Sequence, residues 1–250
     1  MLVIGVLDLL AGQAVHAVAG LRERYQPVRP IEGAFSTSGD SRALAHFYID
    51  RLGVDALYVA DLDAIQAGPP QIDLLSSLCG LGAPVFVDAG VATVDAAHHL
   101  LATGAAKIIV GLETLPSFAD LGAICTAVGG EHVVFSLDLR DGRALSKEAL
   151  SDDTPPTLTM RAVHERAGSV IVIDLARVGT GAGLDLDLIG TVRRVVPPQV
   201  ALIAGGGVRS WDDLERLAAA GCDAALVASA LQSGAIGADD VKRARDLRRV

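Results

Sequence analysis

Short apolar runs recur along the chain between longer amphipathic stretches. They cover residues 3–7, 56–60, 85–87, 107–110, 133–137, 170–173, 200–204 and 224–227. Each is continuous in Val, Ile, Leu and Ala rather than alternating, which is what parallel strands covered on both faces require. Between them lie helical signals. Residues 41–52 start behind Asp40 and stop at Gly53, and a second helix runs from Ser210 towards Gly221. Strand and helix alternate eight times, so the pattern predicts an α/β fold, a single (β/α)8 TIM barrel spanning residues 1–250. A doubly wound open sheet is the alternative.

An internal repeat favours the barrel. Val87-Asp88-Ala89-Gly90-Val91-Ala92-Thr93 aligns with Ala204-Gly205-Gly206-Gly207-Val208-Arg209-Ser210 at a shift of 117 residues, from Asp88 to Gly205. Downstream, Asp95 falls on Asp212, Leu100 on Leu217 and Gly104 on Gly221. Two four-unit halves close on themselves, so the repeat reads as a half-barrel duplication. The copies differ in chemistry. The second keeps a glycine triplet whose backbone amides can cradle a phosphate, and the first opens with a carboxylate.

Two connections are long. Residues 9–39 carry His16, Arg22, Arg24, Tyr25 and Arg29, and residues 141–159 include Asp152-Asp153-Thr154-Pro155-Pro156. Both would follow strand C-termini and overhang the same face.

Composition narrows the function classes. Hydrophobic residues make up 51% of the 250 and charged residues 20%, enough for a large core. The net charge of −9 argues against a nucleic-acid or anionic-membrane partner. Cys79, Cys125 and Cys222 form no CxxC pair and read as packing thiols. No apolar run reaches the ~20 residues that span a bilayer. With no basic leader at Met1 the expectation is a cytoplasmic protein. No cofactor is expected, and the oligomeric state is left open.

In a barrel the strand C-termini converge on one mouth, and here they are acidic: Asp8, Asp61, Asp63, Asp88, Glu113, Asp138 and Asp174. Crowded carboxylates repel, which raises one pKa and creates an acid–base pair. Asp8 on the first strand and Asp138 on the fifth stand opposite each other and are the catalytic candidates. Asp61, Asp88, Asp174 and Arg177 are candidate substrate contacts, although Asp61, Asp63 and Asp174 read at least as well as helix caps or partners of Arg140, Arg177 and Arg209. Gly205, Gly206, Gly207 and Ser229 are the candidate phosphate site. Arg209 reads equally as an anion contact or a solvent-facing residue. Oxygen ligands alone would suit Mg²⁺, but without His or Cys ligand spacing no metal is expected. His98, His99 and His132 lie away from the mouth, and His16 is the one histidine placed to serve it.

Val6-Leu7-Asp8-Leu9 with Gly12, Val59-Ala60-Asp61-Leu62-Asp63-Ala64, Ser136-Leu137-Asp138-Leu139-Arg140-Asp141-Gly142 and Gly206-Gly207-Val208 resemble the histidine-biosynthesis barrels, the HisA/HisF-type phosphoribosyl isomerase superfamily. The likeness covers essentially the whole chain. It implies an Amadori-type isomerisation, with Asp8 and Asp138 matching the family's two aspartates by position. It also implies a substrate with a phosphate at each end, held by the two glycine-rich turns.

The departures bear on the substrate. Where those isomerases have Gly-Gly-Gly-Ile-Arg after strand 3, this chain has Asp88-Ala89-Gly90-Val91-Ala92. A carboxylate ~4 Å from a phosphate oxygen costs on the order of 4 kcal/mol per charge pair at an effective dielectric near 20. A charge-assisted hydrogen bond returns only ~1.5–3 kcal/mol. Val178-Gly179-Thr180 replaces an Asp-Gly-Thr, Ile173 stands where a catalytic threonine is found in some members, and the aromatic lid signature is missing. The expectation is a HisA-like enzyme acting by proton transfer on a small monophosphorylated, sugar- or amine-derived metabolite. The stretch Asp8-Leu9…Gly12-Gln13…Ala17-Val18-Ala19-Gly20…Tyr25 resembles members that imply, as a refinement, the making of a methanopterin-type one-carbon carrier. The alternatives are a divergent histidine-pathway isomerase, with Arg22, Arg24 and Arg29 supplying the missing phosphate site, and a non-catalytic phosphometabolite-binding barrel.

Overall fold

The computed structural model describes residues 1–19, 21–146 and 153–247. Eight parallel strands form a ring: β1 (Leu2–Leu10), β4 (Ala56–Asp61), β5 (Val85–Asp88), β6 (Lys107–Gly111), β7 (Val133–Arg140), β9 (Ser169–Asp174), β10 (Ala201–Gly205) and β11 (Ala224–Val227). They pair in that order, and β11 closes onto β1, with Leu2 opposite Ala224 and Gly5 opposite Val227. Each predicted apolar run falls on one of these strands. The fold is therefore a (β/α)8 barrel, as the alternation implies. Three short strands lie outside the ring: β2 (Gln13–His16), β3 (Gln26–Pro27) and β8 (Arg143–Ala144). The helices are α1 (Ser41–His46), α2 (Leu62–Ile65), α3 (Ile72–Cys79), α4 (Val94–Leu101), α5 (Phe118–Val128), α6 (Pro155–His164), α7 (Leu186–Arg193), α8 (Trp211–Ala219), α9 (Ser229–Gln232) and α10 (Ala238–Ala244).

The core has two layers. Ile4, Ile109, Val134, Ile171, Ile203 and Leu226 fill the barrel, joined by the partly buried Val6, Tyr58, Phe86 and Ile173. A larger cluster, including Leu7, Leu57, Val87, Phe135 and Leu202, packs between the barrel and the helices. Each such side chain, taken fully out of water, contributes ~1.5–3 kcal/mol. Gly5 shows why a glycine interrupts the first strand. A Cβ there would lie 2.7 Å from Cδ2 of the fully buried Tyr48. Tyr48 sits in a wide helical turn, Phe47–Leu52, that continues α1 and ends at Gly53 with φ +68°. That is the stop the sequence pattern places there.

The long connections hold more structure than their composition suggests. After Leu10 the chain turns at Ala11 and Gly12, both at positive φ, and returns as β2, which pairs β1 and β3. The turn is built from Ala-Gly rather than the Asn-Gly or Asp-Gly that marks hairpins, so local propensity did not reveal it. Asp141 and Gly142 make a second positive-φ turn into β8. α6 begins at Pro155, with Thr154 as its N-cap, inside the segment read as a loop. Residues 147–152 of that loop, with Asp152, and Gly20 of the first loop lie outside the described residues.

Candidate active site

Two adjoining cavities of about 290 and 300 Å³ open at the C-terminal ends of the strands. They share Val6, Asp8, Ala17, Ile173, Val178 and Leu226, so they are the two ends of one elongated cleft with Asp8 at its middle. The first connection arches over this junction and meets the loop after β9, where Ala19 donates its amide to the Val178 carbonyl at 2.8 Å.

One end is glycine-rich. Gly206, Gly207, Val208, Arg209, Ala228 and Ser229 line it, together with His16 and Gly179. Gly205 is the last residue of β10, and Ser229 opens α9. Gly206 has φ +80°, and a Cβ there would stand 2.7 Å from the Asp174 carbonyl oxygen. Gly207 has φ +115°, and a Cβ there would collide with the Gly183 carbonyl. Gly206 and Gly207 are therefore required by close backbone approach as well as by dihedral angle. Arg209 borders this end while its guanidinium Nε donates to Asp213 at 2.9 Å and Nη1 to the Gly181 carbonyl at 3.3 Å. Asp213 is buried, and burial alone would raise its pKa. The hydrogen bonds from Arg209 outweigh that and hold the carboxyl below its ordinary value.

The other end is lined by Glu23, Tyr58, Asp88, Glu113, Asp138 and Arg140, with Tyr25. Asp88 is the last residue of β5, as Gly205 is of β10, which places the repeated turns at equivalent points of the ring. Its Oδ2 accepts the Tyr58 hydroxyl at 2.8 Å and its Oδ1 the Gly90 amide at 3.3 Å. Asp138 Oδ1 accepts the hydroxyl of buried Ser136 at 2.8 Å. β1 and β7 are four strands apart whichever way the ring is followed, so Asp8 and Asp138 come from opposite walls. Burial, followed by the Asp88 charge, pushes the Asp8 carboxyl up to about 7. Burial and then Asp88 likewise push the Tyr58 phenol well above its ordinary value, so it is a neutral donor.

Three residues expected to contact substrate are used within the protein instead. Asp61 is fully buried, and its oxygens accept the Ala64 amide at 3.2 Å, the Gln71 amide at 2.7 Å and Gln71 Nε2 at 2.9 Å. It caps α2 and anchors the segment before α3. Asp174, also buried, accepts the amides of Asp141, Gly142 and Ala176 at 3.0–3.1 Å. Arg177 lies 3.7 Å from Asp174 and 3.8 Å from Asp185 and donates to the Gly183 carbonyl at 3.1 Å, so it ties the loop after β9. None of the three lines the cleft. Asp63 accepts the Ala11 amide at 2.7 Å and holds the first hairpin. Arg24 and Arg29 are exposed and outside the cleft lining, where their loop presents Glu23 and Tyr25 instead. The side chain of Arg22 lies outside the described residues. Sequence reasoning passed over Tyr58 and Ser136. Their signal is the period-two spacing that puts Tyr58 on the barrel-facing side two residues before Ala60, and Ser136 two before Asp138. Among the described residues no group of three His, Cys, Asp or Glu is placed to hold a metal ion, and no helix is long and apolar enough to cross a membrane.

The ring and its two-ended rim define a HisA-like (β/α)8 barrel. Residues 2–237 match the histidine biosynthesis protein family, and the chain belongs to that family. It is similar to the phosphoribosyl imidazole-4-carboxamide isomerase of Deinococcus radiodurans, at 31% identity over 94% of each chain. The isomerase of the same name from Thermomicrobium roseum is 32% identical, again over 94% of each. An uncharacterized protein of Methanocaldococcus jannaschii is 28% identical over 96% of this chain and 97% of its own length.

Proposed function

We propose that the protein is an isomerase-type enzyme acting on a small metabolite with one phosphate group, sugar- or amine-derived, by acid–base proton transfer. The observation that carries this reading is the position of Asp8, between a glycine-triplet turn at one end of the cleft and a carboxylate-lined end at the other. Gly206 and Gly207 with Ser229 hold the phosphate, with Gly205 behind them at the end of β10, since backbone amides at a tight turn suit an anion. Asp8 keeps its proton to about pH 7 and serves as the acid. Asp138, accepting from Ser136, serves as the base on the facing wall. Asp88 faces the part of the substrate that carries an amine or hydroxyls. Asp61, Asp174 and Arg177 support the site through backbone and loop contacts rather than through substrate.

A second reading, the histidine-pathway isomerase itself, is favoured by the names of the relatives, whose substrate carries two 5-phosphoribosyl groups. The acidic second end counts against it. A place in methanopterin-type carrier synthesis finds no support in the cleft or the relatives.

Turnover of the relatives' two-phosphate substrate, together with rescue of a histidine auxotroph, decides between these readings. The expected result is no rescue and a rate far below theirs, and a matching rate overturns the one-phosphate reading. If Asp8→Asn and Asp138→Asn leave a detected activity unchanged, the assignment of acid and base fails. Phosphate binding with no activity on any such compound favours a binding barrel.

A further inference from the structure

The two repeated turns differ in what satisfies them. In the second half a glycine triplet ends β10 at Gly205, and Gly206 and Gly207 after it open onto the cleft. In the first half the Asp88 side chain folds back onto its own turn. One oxygen takes the Gly90 amide at 3.3 Å, and Gly90 is the residue that aligns with Gly207. The other oxygen takes the hydroxyl of Tyr58 from the neighbouring strand, at 2.8 Å. Asp88 is only 8% exposed, so this carboxylate is built into the wall and is not a surface group free to swing aside. Gly90 seals the turn from below, where a Cβ would stand 3.2 Å from the Ile65 backbone.

We infer that Asp88 is an internal anion seated at the counterpart of the second half's glycine-rich turn, and that Tyr58 is the specificity-determining residue that holds it there. The pair makes this end of the cleft refuse a second phosphate. The inference rests on the one-phosphate reading above and explains it residue by residue. Two donors, the phenol of Tyr58 and the amide of Gly90, form the seat. With the carboxylate removed, the same donors face an empty space of anion-binding character. The high phenol pKa, caused first by burial and then by Asp88, keeps Tyr58 a donor across the accessible pH range.

The test counts inorganic phosphate bound per chain, by calorimetric titration of the full chain. The native protein is expected to bind one equivalent. Asp88→Gly is expected to bind a second, and Tyr58→Phe added to Asp88→Gly is expected to weaken that second site by on the order of tenfold, the worth of one hydrogen bond to a charged group. Gly207→Ala should abolish the first equivalent and leave the second in the Asp88→Gly background. A single equivalent in Asp88→Gly, or a second site indifferent to Tyr58→Phe, overturns the inference. If the glycine variant does not fold, Asp88→Ala, which removes the carboxylate without freeing the backbone, is read in the same way. Two equivalents or none in the native protein is a different failure and overturns the one-phosphate reading itself.

Discussion

Ser136 donates its hydroxyl to Asp138 at 2.8 Å from two residues earlier on the same strand. Both side chains face the barrel interior because strand residues of equal parity share a face. Ser136 is buried, so the bond is shielded from water and holds the Asp138 carboxylate on the side of the cleft opposite Asp8. Ser136→Ala is expected to lower kcat about tenfold with little change in KM, as loss of one charge-assisted hydrogen bond implies. Ser136→Thr, which keeps the hydroxyl, should restore most of it. Asp8→Asn and Asp138→Asn should each cost roughly 10²–10⁴-fold. Steady-state kinetics on the substrate identified by the turnover tests measures all four.

Asp8 predicts a pH dependence of stability. Its folded pKa is raised to about 7 by burial and then by Asp88, whereas an unfolded Asp titrates near ~3.9. Between those values the folded state binds more protons than the unfolded one. This contribution is therefore fully present below about pH 4 and is lost as the pH rises through about 7. Urea unfolding at a series of pH values should show that decline, and Asp8→Asn should flatten it. An unchanged slope in the variant would place the proton elsewhere.

Asp61 should behave as a structural residue. Asp61→Asn gives up one acceptor for the Gln71 amide in a fully buried position, at a cost of about 1–3 kcal/mol. A lower urea midpoint with kinetic constants near native values is expected. A large loss of kcat in a variant of native stability would return Asp61 to the reaction.

Gly207→Ala is expected to destabilise by about 1–3 kcal/mol or more, because φ is +115° and the added methyl meets the Gly183 carbonyl. Phosphate should no longer raise its thermal midpoint. Differential scanning fluorimetry with and without inorganic phosphate measures both effects.

Much of the fold was legible in the sequence because parallel strands in a closed barrel are buried on both faces. That burial leaves continuous apolar runs, and all eight strands follow them. The helix starts at Asp40 and Ser210 and the stop at Gly53 were equally visible, since caps are local chemistry. The first hairpin was not legible. Its turn uses Ala11 at φ +49°, which tertiary pairing with β3 and the Asp63 contact stabilise against local preference.

By itself the sequence determined that the chain forms a duplicated eight-strand barrel, that its two turns differ by a carboxylate, and that its strand ends are acidic. Only the tertiary structure decided which acids face the cleft. Asp61 and Asp174 end their strands just as Asp88 does, yet backbone amides from other segments take their oxygens. Tyr58 and Ser136, ordinary strand residues in the sequence, reach Asp88 and Asp138, two of the carboxylates that line the cleft. The physical reason is that a carboxylate's role is set by which donors arrive within about 3 Å of it, and the folded chain, through turns, loops and neighbouring strands, decides which donors those are.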